Sequence, residues 1–129
     1  MRGANPKAVA SRFLAAVEAE DLDTIESLLA NDVVYTDSRG DSISGYSSCV
    51  EAMRRLFEMN IGLAIHPSSM AQVGDNVLIK GRCCSRDPRL NAQCLWRIRV
   101  RNGKLAEYQS HRASDPPAFA RVLMPEAVC

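Results

Sequence analysis

The sequence has no hydrophobic run approaching the roughly eighteen residues that a membrane-spanning helix needs, and it contains no internal repeat or low-complexity tract. Its charges nearly cancel, with 16 Lys and Arg against 15 Asp and Glu among 129 residues, so no global field attracts nucleic acid or an anionic membrane. The first residues, MRGANPK, lead into no apolar stretch with a small-residue cleavage site, which does not support a secretory signal. We therefore expect one cytoplasmic domain, residues 1–129, that does not enter a membrane.

The cysteine and histidine patterns give no support to a metal site. The five cysteines form no C-x-x-C pair, and Cys83 and Cys84 are adjacent, which favours reduced thiols packed in the core. His66 and His111 stand alone in sequence, whereas zinc sites use closely spaced ligand pairs. The sequence predicts neither a metal nor a cofactor.

Three helices are predicted in the first half of the chain. Asn5 followed by Pro6 has the pattern of an N-cap and a first helical residue, and apolar residues then recur at helical spacing at Val9, Phe13, Ala16 and Val17. Asp21 is placed to cap a second helix, whose apolar stripe comprises Leu22, Ile25, Leu28 and Leu29. Ser48 and Glu51 have the spacing of a capping box for a third helix, whose apolar face comprises Val50, Met53, Leu56 and Phe57.

From residue 62 onward the hydrophobic period is that of strands. The segment 62–73 is predicted to be extended and to be broken or bulged at Pro67, which lacks a backbone donor. Gly74-Asp75-Asn76 turns the chain into a second strand. The segment 92–101 alternates more clearly, and Asn102-Gly103 is a strong signal for a two-residue hairpin turn before the last strand, KLAEYQSHR.

The order of these elements indicates the fold class. Two helices, a short strand, a third helix and three or four long antiparallel strands are typical of an α+β fold with helices on one face of a curved sheet. The loop SRGDSISGYSS separates the short strand from the third helix, and a short final helix is expected in AFARVLM.

The short strand VVYTD ends in a carboxylate. Because side chains alternate along a strand, Asp37 shares a face with Val33 and Tyr35. Two interpretations are open. An Asp before Ser-Arg-Gly caps a turn by accepting backbone N–H bonds; alternatively, it faces an apolar pocket, where carboxylates carry out proton transfer.

The same stretch carries a family resemblance. RFLAAVEAEDLDTIESLLANDVVYTDSRGDSISGYSSCVEAMRRLF resembles the amino-terminal half of the SnoaL-like, nuclear-transport-factor-2-like superfamily, nearest its ketosteroid isomerase branch. Gly45 and the late RIRVRNGKL hairpin add to it. The resemblance implies a cone-shaped, cystatin-like roll in which a curved antiparallel sheet wraps around three N-terminal helices and leaves an internal apolar pocket. Members include isomerases, dehydratases, cyclases, epoxide hydrolases and non-enzymatic binders, so the fold alone selects no function.

The resemblance also implies a site. In the ketosteroid isomerase branch the base is an Asp at the end of the first strand, and the matching residue is Asp37. The two donors to the developing oxyanion, a Tyr and a protonated Asp, match Phe13 and Trp96. Since losing one such donor commonly costs about 3 to 4 kcal/mol of transition-state stabilisation, ketosteroid isomerase activity itself is not expected.

The implied function is therefore binding of a small, largely apolar molecule, with an isomerase, lyase or hydrolase step at Asp37 as general base or acid. Tyr35 and Trp96 are expected to donate hydrogen bonds to the ligand. His111 is a further candidate for catalysis, although the alternation leaves its direction open. The expected pocket wall comprises Phe13, Val17, Phe57, Ile79, Cys83, Cys94 and Tyr108. The alternative is a non-catalytic binding or scaffold module of the same fold.

Cations are predicted to line the outer sheet face, at Lys80, Arg82, Arg97, Arg99 and Arg101. The resemblance implies a homodimer through this face, where Arg pairs with acidic residues or lies over apolar surface. Nucleic-acid binding is not expected, because that face has no aromatic platforms among its arginines.

Overall fold

The helices and the long strands follow one another in the order that the sequence predicts, with one additional short strand before the third helix. The computed structural model describes residues 5–88, 91–112, 120 and 123–126. Its helices are α1 (Pro6–Ala19), α2 (Leu22–Leu28) and α3 (Tyr46–Glu58). Its strands are β1 (Leu29–Thr36), β2 (Ser42–Ser44), β3 (Ala64–Val73), β4 (Asn76–Cys84), β5 (Ala92–Arg101) and β6 (Lys104–Arg112).

The first two helices begin where their capping residues predict. The Asn5 side chain accepts a hydrogen bond from the backbone N–H of Lys7 at 2.8 Å, and Pro6 occupies the first turn of α1. Asp21 accepts hydrogen bonds from both the backbone N–H of Thr24, at 3.1 Å, and its hydroxyl, at 2.6 Å. Each cap satisfies donors that a helix start otherwise leaves unpaired.

The predicted cap of the third helix is wrong. α3 begins at Tyr46 with Gly45 as its N-cap, and no side chain makes a capping hydrogen bond there. Glu51 instead accepts hydrogen bonds from Arg54 and Arg55 on the same helix. Gly45 has φ of 96°, a left-handed value that favours glycine, so backbone geometry rather than a capping box starts this helix.

The six strands form one mixed sheet in the order β2-β1-β6-β5-β4-β3. The four long strands pair antiparallel as predicted, whereas β1 lies parallel to β6. β2 corrects the predicted loop: it pairs with β1 through Val34 and Ser44. A three-residue strand with one buried apolar residue, Ile43, is too short to show strand periodicity in the sequence.

Pro67 marks a bulge, as the sequence predicts. The pairing of β3 with β4 shifts register between Pro67 and Ser69. Opposite the bulge lies Gly81, where an added Cβ would stand 2.4 Å from the carbonyl oxygen of His66. Gly81 therefore lets the β3 backbone approach closely and leaves no void beside it.

The two faces of the sheet separate apolar from charged residues. The inward side chains of β4 and β5 are buried, including Val77, Ile79, Trp96 and Ile98. On the outer face, Glu107 accepts hydrogen bonds from Arg97 at 2.7 Å and from Arg99 at 2.8 Å. This carboxylate partly neutralises the predicted row of cations.

The short final helix predicted in AFARVLM lies mostly outside the described residues. Near the carboxyl end these comprise residue 120 and residues 123–126. Among the described helices, none is long and apolar enough to span a bilayer.

Candidate functional site

A cavity of about 100 Å³ lies between the helices and the inner face of the sheet. α1 contributes Phe13 and Val17 to its wall, and α3 contributes Ala52, Met53 and Leu56. The sheet contributes Tyr35, Cys83, Cys94, Trp96 and Tyr108, among others. Two residues expected in the wall lie elsewhere: Ile79 is fully buried in the core, and Phe57 packs half-buried against it.

Three aromatic rings pack against one another in the wall. The Tyr108 ring meets Phe13 edge-on, with centroids 5.1 Å apart, and stacks on Tyr35 with centroids 5.5 Å apart. Both arrangements are favourable for aromatic pairs. Burial raises the pKa of the Tyr35 hydroxyl, and it raises that of Tyr108 well above its ordinary value. Both hydroxyls therefore stay protonated at neutral pH and can donate a hydrogen bond.

The polar end of the cavity is formed by β6. Tyr108, Ser110 and Arg112 recur at every second residue and all line the cavity. The Tyr35 hydroxyl lies 3.4 Å from Ser110 Oγ. The Arg112 guanidinium is half-buried, and it opposes the rise in the pKa of the Cys83 thiol through its charge and a side-chain hydrogen bond.

Sequence reasoning missed Ser110 and Arg112. Alternation along β6 would have identified both residues, because every second side chain from Tyr108 onward faces the cavity. This requires knowing that the Tyr108 side chain points inward. A bulge hides that direction, because the pairing of β5 with β6 shifts register between Arg99 and Val100. The shift pairs Cys94 with Arg112, whereas uninterrupted counting from the Asn102-Gly103 turn would pair Cys94 with His111.

His111 consequently points away from the cavity. It is exposed on the outer face, opposite Leu95. Trp96 lies in the cavity wall and is 4% exposed. Its indole N–H makes no hydrogen bond within the described part of the chain.

Asp37 lies just beyond the end of β1 and is 1% exposed. Its Oδ1 accepts the backbone N–H groups of Arg39, at 2.9 Å, and Asp41, at 3.1 Å. Its Oδ2 accepts the backbone N–H of Ala120 at 3.0 Å. Asp37 is not among the residues that line the cavity, and both of its oxygens are engaged by backbone donors.

The described cysteines are free thiols. Burial raises the pKa of Cys49 and of Cys83 to about 11, which keeps these thiols protonated and unreactive at neutral pH. No cluster of three His, Cys, Asp or Glu side chains suited to a metal ion occurs among the residues that the structure describes. Cys129 lies outside them.

Three helices packed on a curved mixed sheet, with an apolar cavity between them, define an α+β roll of the cystatin-like type. The family model for the SnoaL-like domain matches residues 10–108. The chain therefore belongs to the SnoaL-like domain family. The search of curated proteins finds no match.

Solved structures share the fold across most of the chain. An LEH-like epoxide hydrolase of M. tuberculosis superposes with a TM-score of 0.72 at 21% identity, covering 81% of this chain and 80% of its own. An uncharacterised cystatin-fold protein of Novosphingobium aromaticivorans has a TM-score of 0.74 at 20% identity, covering 85% and 100%. A hypothetical protein of Catenulispora acidiphila with a ketosteroid isomerase-like fold, solved in complex with trimethylamine, has a TM-score of 0.66 at 15% identity. The match covers 80% of this chain and 83% of that protein. These similarities establish the fold. They do not identify a ligand, which must be inferred from the residues of the cavity.

Proposed function

We propose that this protein binds a small, largely apolar molecule in the cavity between its helices and its sheet. The observation that carries the proposal is the cavity itself, with a volume of about 100 Å³ and a wall of mostly apolar side chains. An apolar cavity of roughly 150 Å³ stays dry and binds benzene. A ligand the size of one ring or a short branched chain therefore suits the site.

The contacts of Asp37 favour binding over catalysis. A general base must reach the proton that it removes. The Asp37 carboxylate instead accepts hydrogen bonds from three backbone N–H groups of the protein. Asp37 accordingly acts as a structural acceptor in this proposal.

A proton-transfer reaction at Asp37 is the second candidate function. Its support is the proximity of Asp37 to the cavity wall, because the negative charge of Asp37 contributes to the raised pKa of Tyr35. In this alternative Asp37 is the general base or acid, and Tyr35 and Trp96 donate hydrogen bonds to the ligand. Turnover of any substrate would then be lost in Asp37→Asn while the ligand still bound.

Ligand binding can be followed by intrinsic fluorescence, because Trp96 is the single tryptophan of the chain and lines the cavity. Toluene, a neutral apolar probe, is expected to change Trp96 fluorescence saturably and to shift the NMR signals of methyl groups in the wall. Ala52→Leu fills the cavity from α3 and should abolish both changes. Ala8→Leu, an exposed position on α1, is the matched control.

Thermal unfolding of both variants would check that they fold, because overpacking a core commonly costs about 1 to 3 kcal/mol. An absence of saturable toluene binding to the unaltered protein would overturn the proposal. So would equal binding to folded Ala52→Leu, because toluene would then occupy another place.

A further inference from the structure

Leu123 is held in the cavity wall differently from most of its neighbours. Among the described residues that line the cavity, only Leu63 and Leu123 lie outside the helices α1 to α3 and the six strands. Leu63 directly precedes β3, whereas Leu123 lies beyond the end of β6. The Leu123 side chain is 7% exposed, so it fills space at the wall while its backbone belongs to none of these strands.

Arg55 of α3 makes the contacts that fix the Leu123 backbone. Its Nη1 donates a hydrogen bond to the carbonyl oxygen of Leu123 at 2.8 Å, and its Nη2 lies 2.9 Å from Glu126 Oε2. Its Nε donates to Glu51 Oε2, about one turn earlier on α3, at 2.9 Å. A guanidinium is a planar fork of donors that binds several acceptors in fixed directions. Arg55 therefore ties residues 123–126 to α3.

This link lies at the protein surface, whereas the leucine side chain that it fixes lies at the cavity. The side chains of Arg55 and Glu126 are 35% and 56% exposed. α3 also carries Met53 and Leu56 of the cavity wall, so one helix supports both these side chains and the link to Leu123. Loss of the link would let Leu123 move away from α3 and leave its volume to a ligand.

The volume that Leu123 occupies matters because the cavity is small, at about 100 Å³. A close-packed interior does not accept extra carbon atoms without a loss of stability. We propose that Leu123 limits the size of the ligand and that Arg55 is the positioning residue that holds Leu123 in the wall. The inference rests on the proposed binding function and adds its size selection: single-ring ligands such as toluene are accepted, and bulkier ones are rejected.

Toluene and tert-butylbenzene form a matched pair of probes, because they share the ring and differ by three carbon atoms. Leu123→Ala removes three carbon atoms from the wall. Titration against Trp96 fluorescence should show the unaltered protein binding toluene at least about tenfold more tightly than tert-butylbenzene, since overpacking carries a penalty of this size. Leu123→Ala should lower this affinity ratio at least about tenfold.

Arg55→Met tests the positioning role, because it keeps a long side chain on α3 and removes every donor. It should lower the affinity ratio at least about threefold, a smaller change than that of Leu123→Ala because the leucine side chain is still present. Arg54→Met is the matched control. Within the described residues, Arg54 forms ion pairs with Glu51 and Glu58 of its own helix and with no residue of 123–126, so its loss should leave the ratio unchanged.

The outcomes separate this inference from the function on which it rests. If toluene binds and tert-butylbenzene binds the unaltered protein as tightly, the size limit is overturned and the binding function stands. A ratio that responds to Leu123→Ala but is the same in Arg55→Met and Arg54→Met would overturn the role of Arg55. Failure of toluene to bind the unaltered protein would overturn both proposals. Should Arg55→Met not fold, Glu126→Ala removes the ion pair from the other side, and an unchanged ratio there would overturn the role of the link.

Discussion

The Oδ2 atom of Asp37 accepts a hydrogen bond at 3.0 Å from the backbone N–H of Ala120, a residue 83 positions away in the sequence. The other oxygen of the same carboxylate, Oδ1, accepts hydrogen bonds from the backbone N–H groups of Arg39 and Asp41 in the turn after β1. One buried side chain thus ties the end of β1 to the carboxyl end of the chain. Asp37 therefore forms a structural junction between these two parts of the chain.

Asp37→Asn is expected to lower the free energy of unfolding by about 2 to 3 kcal/mol. The amide keeps one acceptor oxygen but turns an NH₂ group toward a backbone N–H donor, which leaves buried donors unpaired. Urea unfolding monitored by Trp96 fluorescence measures the change. Asp23→Asn, at an exposed position in the first turn of α2, should cost less than about 1 kcal/mol. Equal stability of the two variants would contradict the junction.

Two tyrosines provide a second test of how hydroxyl groups are used. The Tyr46 hydroxyl donates to the carbonyl oxygen of Glu26 at 3.0 Å, so Tyr46→Phe should cost about 1 kcal/mol of stability. Tyr108→Phe keeps the ring contacts with Phe13 and Tyr35 and should cost less than about 0.5 kcal/mol. A larger loss of stability for Tyr108→Phe than for Tyr46→Phe would show that the Tyr108 hydroxyl supports the fold.

Glu51 makes stability depend on pH. Hydrogen bonds from Arg54 and Arg55 lower its pKa from 4.5 to about 2. A lowered pKa means that the folded state favours the charged form, so the stabilisation is present above the unfolded pKa and disappears as pH falls toward 2. Glu51→Gln should therefore be less stable than the unaltered protein at neutral pH, and the difference should shrink on acidification.

Urea unfolding at a series of pH values measures this difference. Glu20→Gln is the control, because Glu20 makes no ion pair within the residues that the structure describes. A Glu51→Gln deficit that stays constant down to the acid limit of the folded state would contradict the assignment.

Local sequence signals sufficed where the determining contacts are local. The caps at Asn5 and Asp21 act within three residues, and the alternation of β4 and β5 follows from burying one face of an antiparallel sheet. These features could be predicted, and so could the hairpin at Asn102-Gly103, whose φ values of 53° and 75° suit this dipeptide.

Features set by distant contacts could not be predicted in the same way. The bulge between β5 and β6 shifts the inward direction by one residue, and with it exchanges His111 for Arg112 at the cavity. The alternation of β1 predicts that Asp37 shares a face with Val33 and Tyr35, but no local pattern reveals that the backbone N–H of Ala120 donates to its carboxylate. The charge of the candidate site therefore depends on a register shift, and the role of Asp37 depends on tertiary contact.

The outer sheet face provides the last prediction, a homodimer. Leu78 and Leu95 are 44% and 53% exposed there, on neighbouring strands beside the Arg97–Glu107–Arg99 ion pairs. A two-fold interface buries each residue twice, and burial of a leucine contributes about 1.5 to 3 kcal/mol. Leu95→Asp should thus weaken the dimer about a hundredfold or more, whereas Met59→Asp, exposed after α3, should not. Light scattering after size exclusion measures the mass, and a monomer at every concentration of the unaltered protein would contradict the prediction.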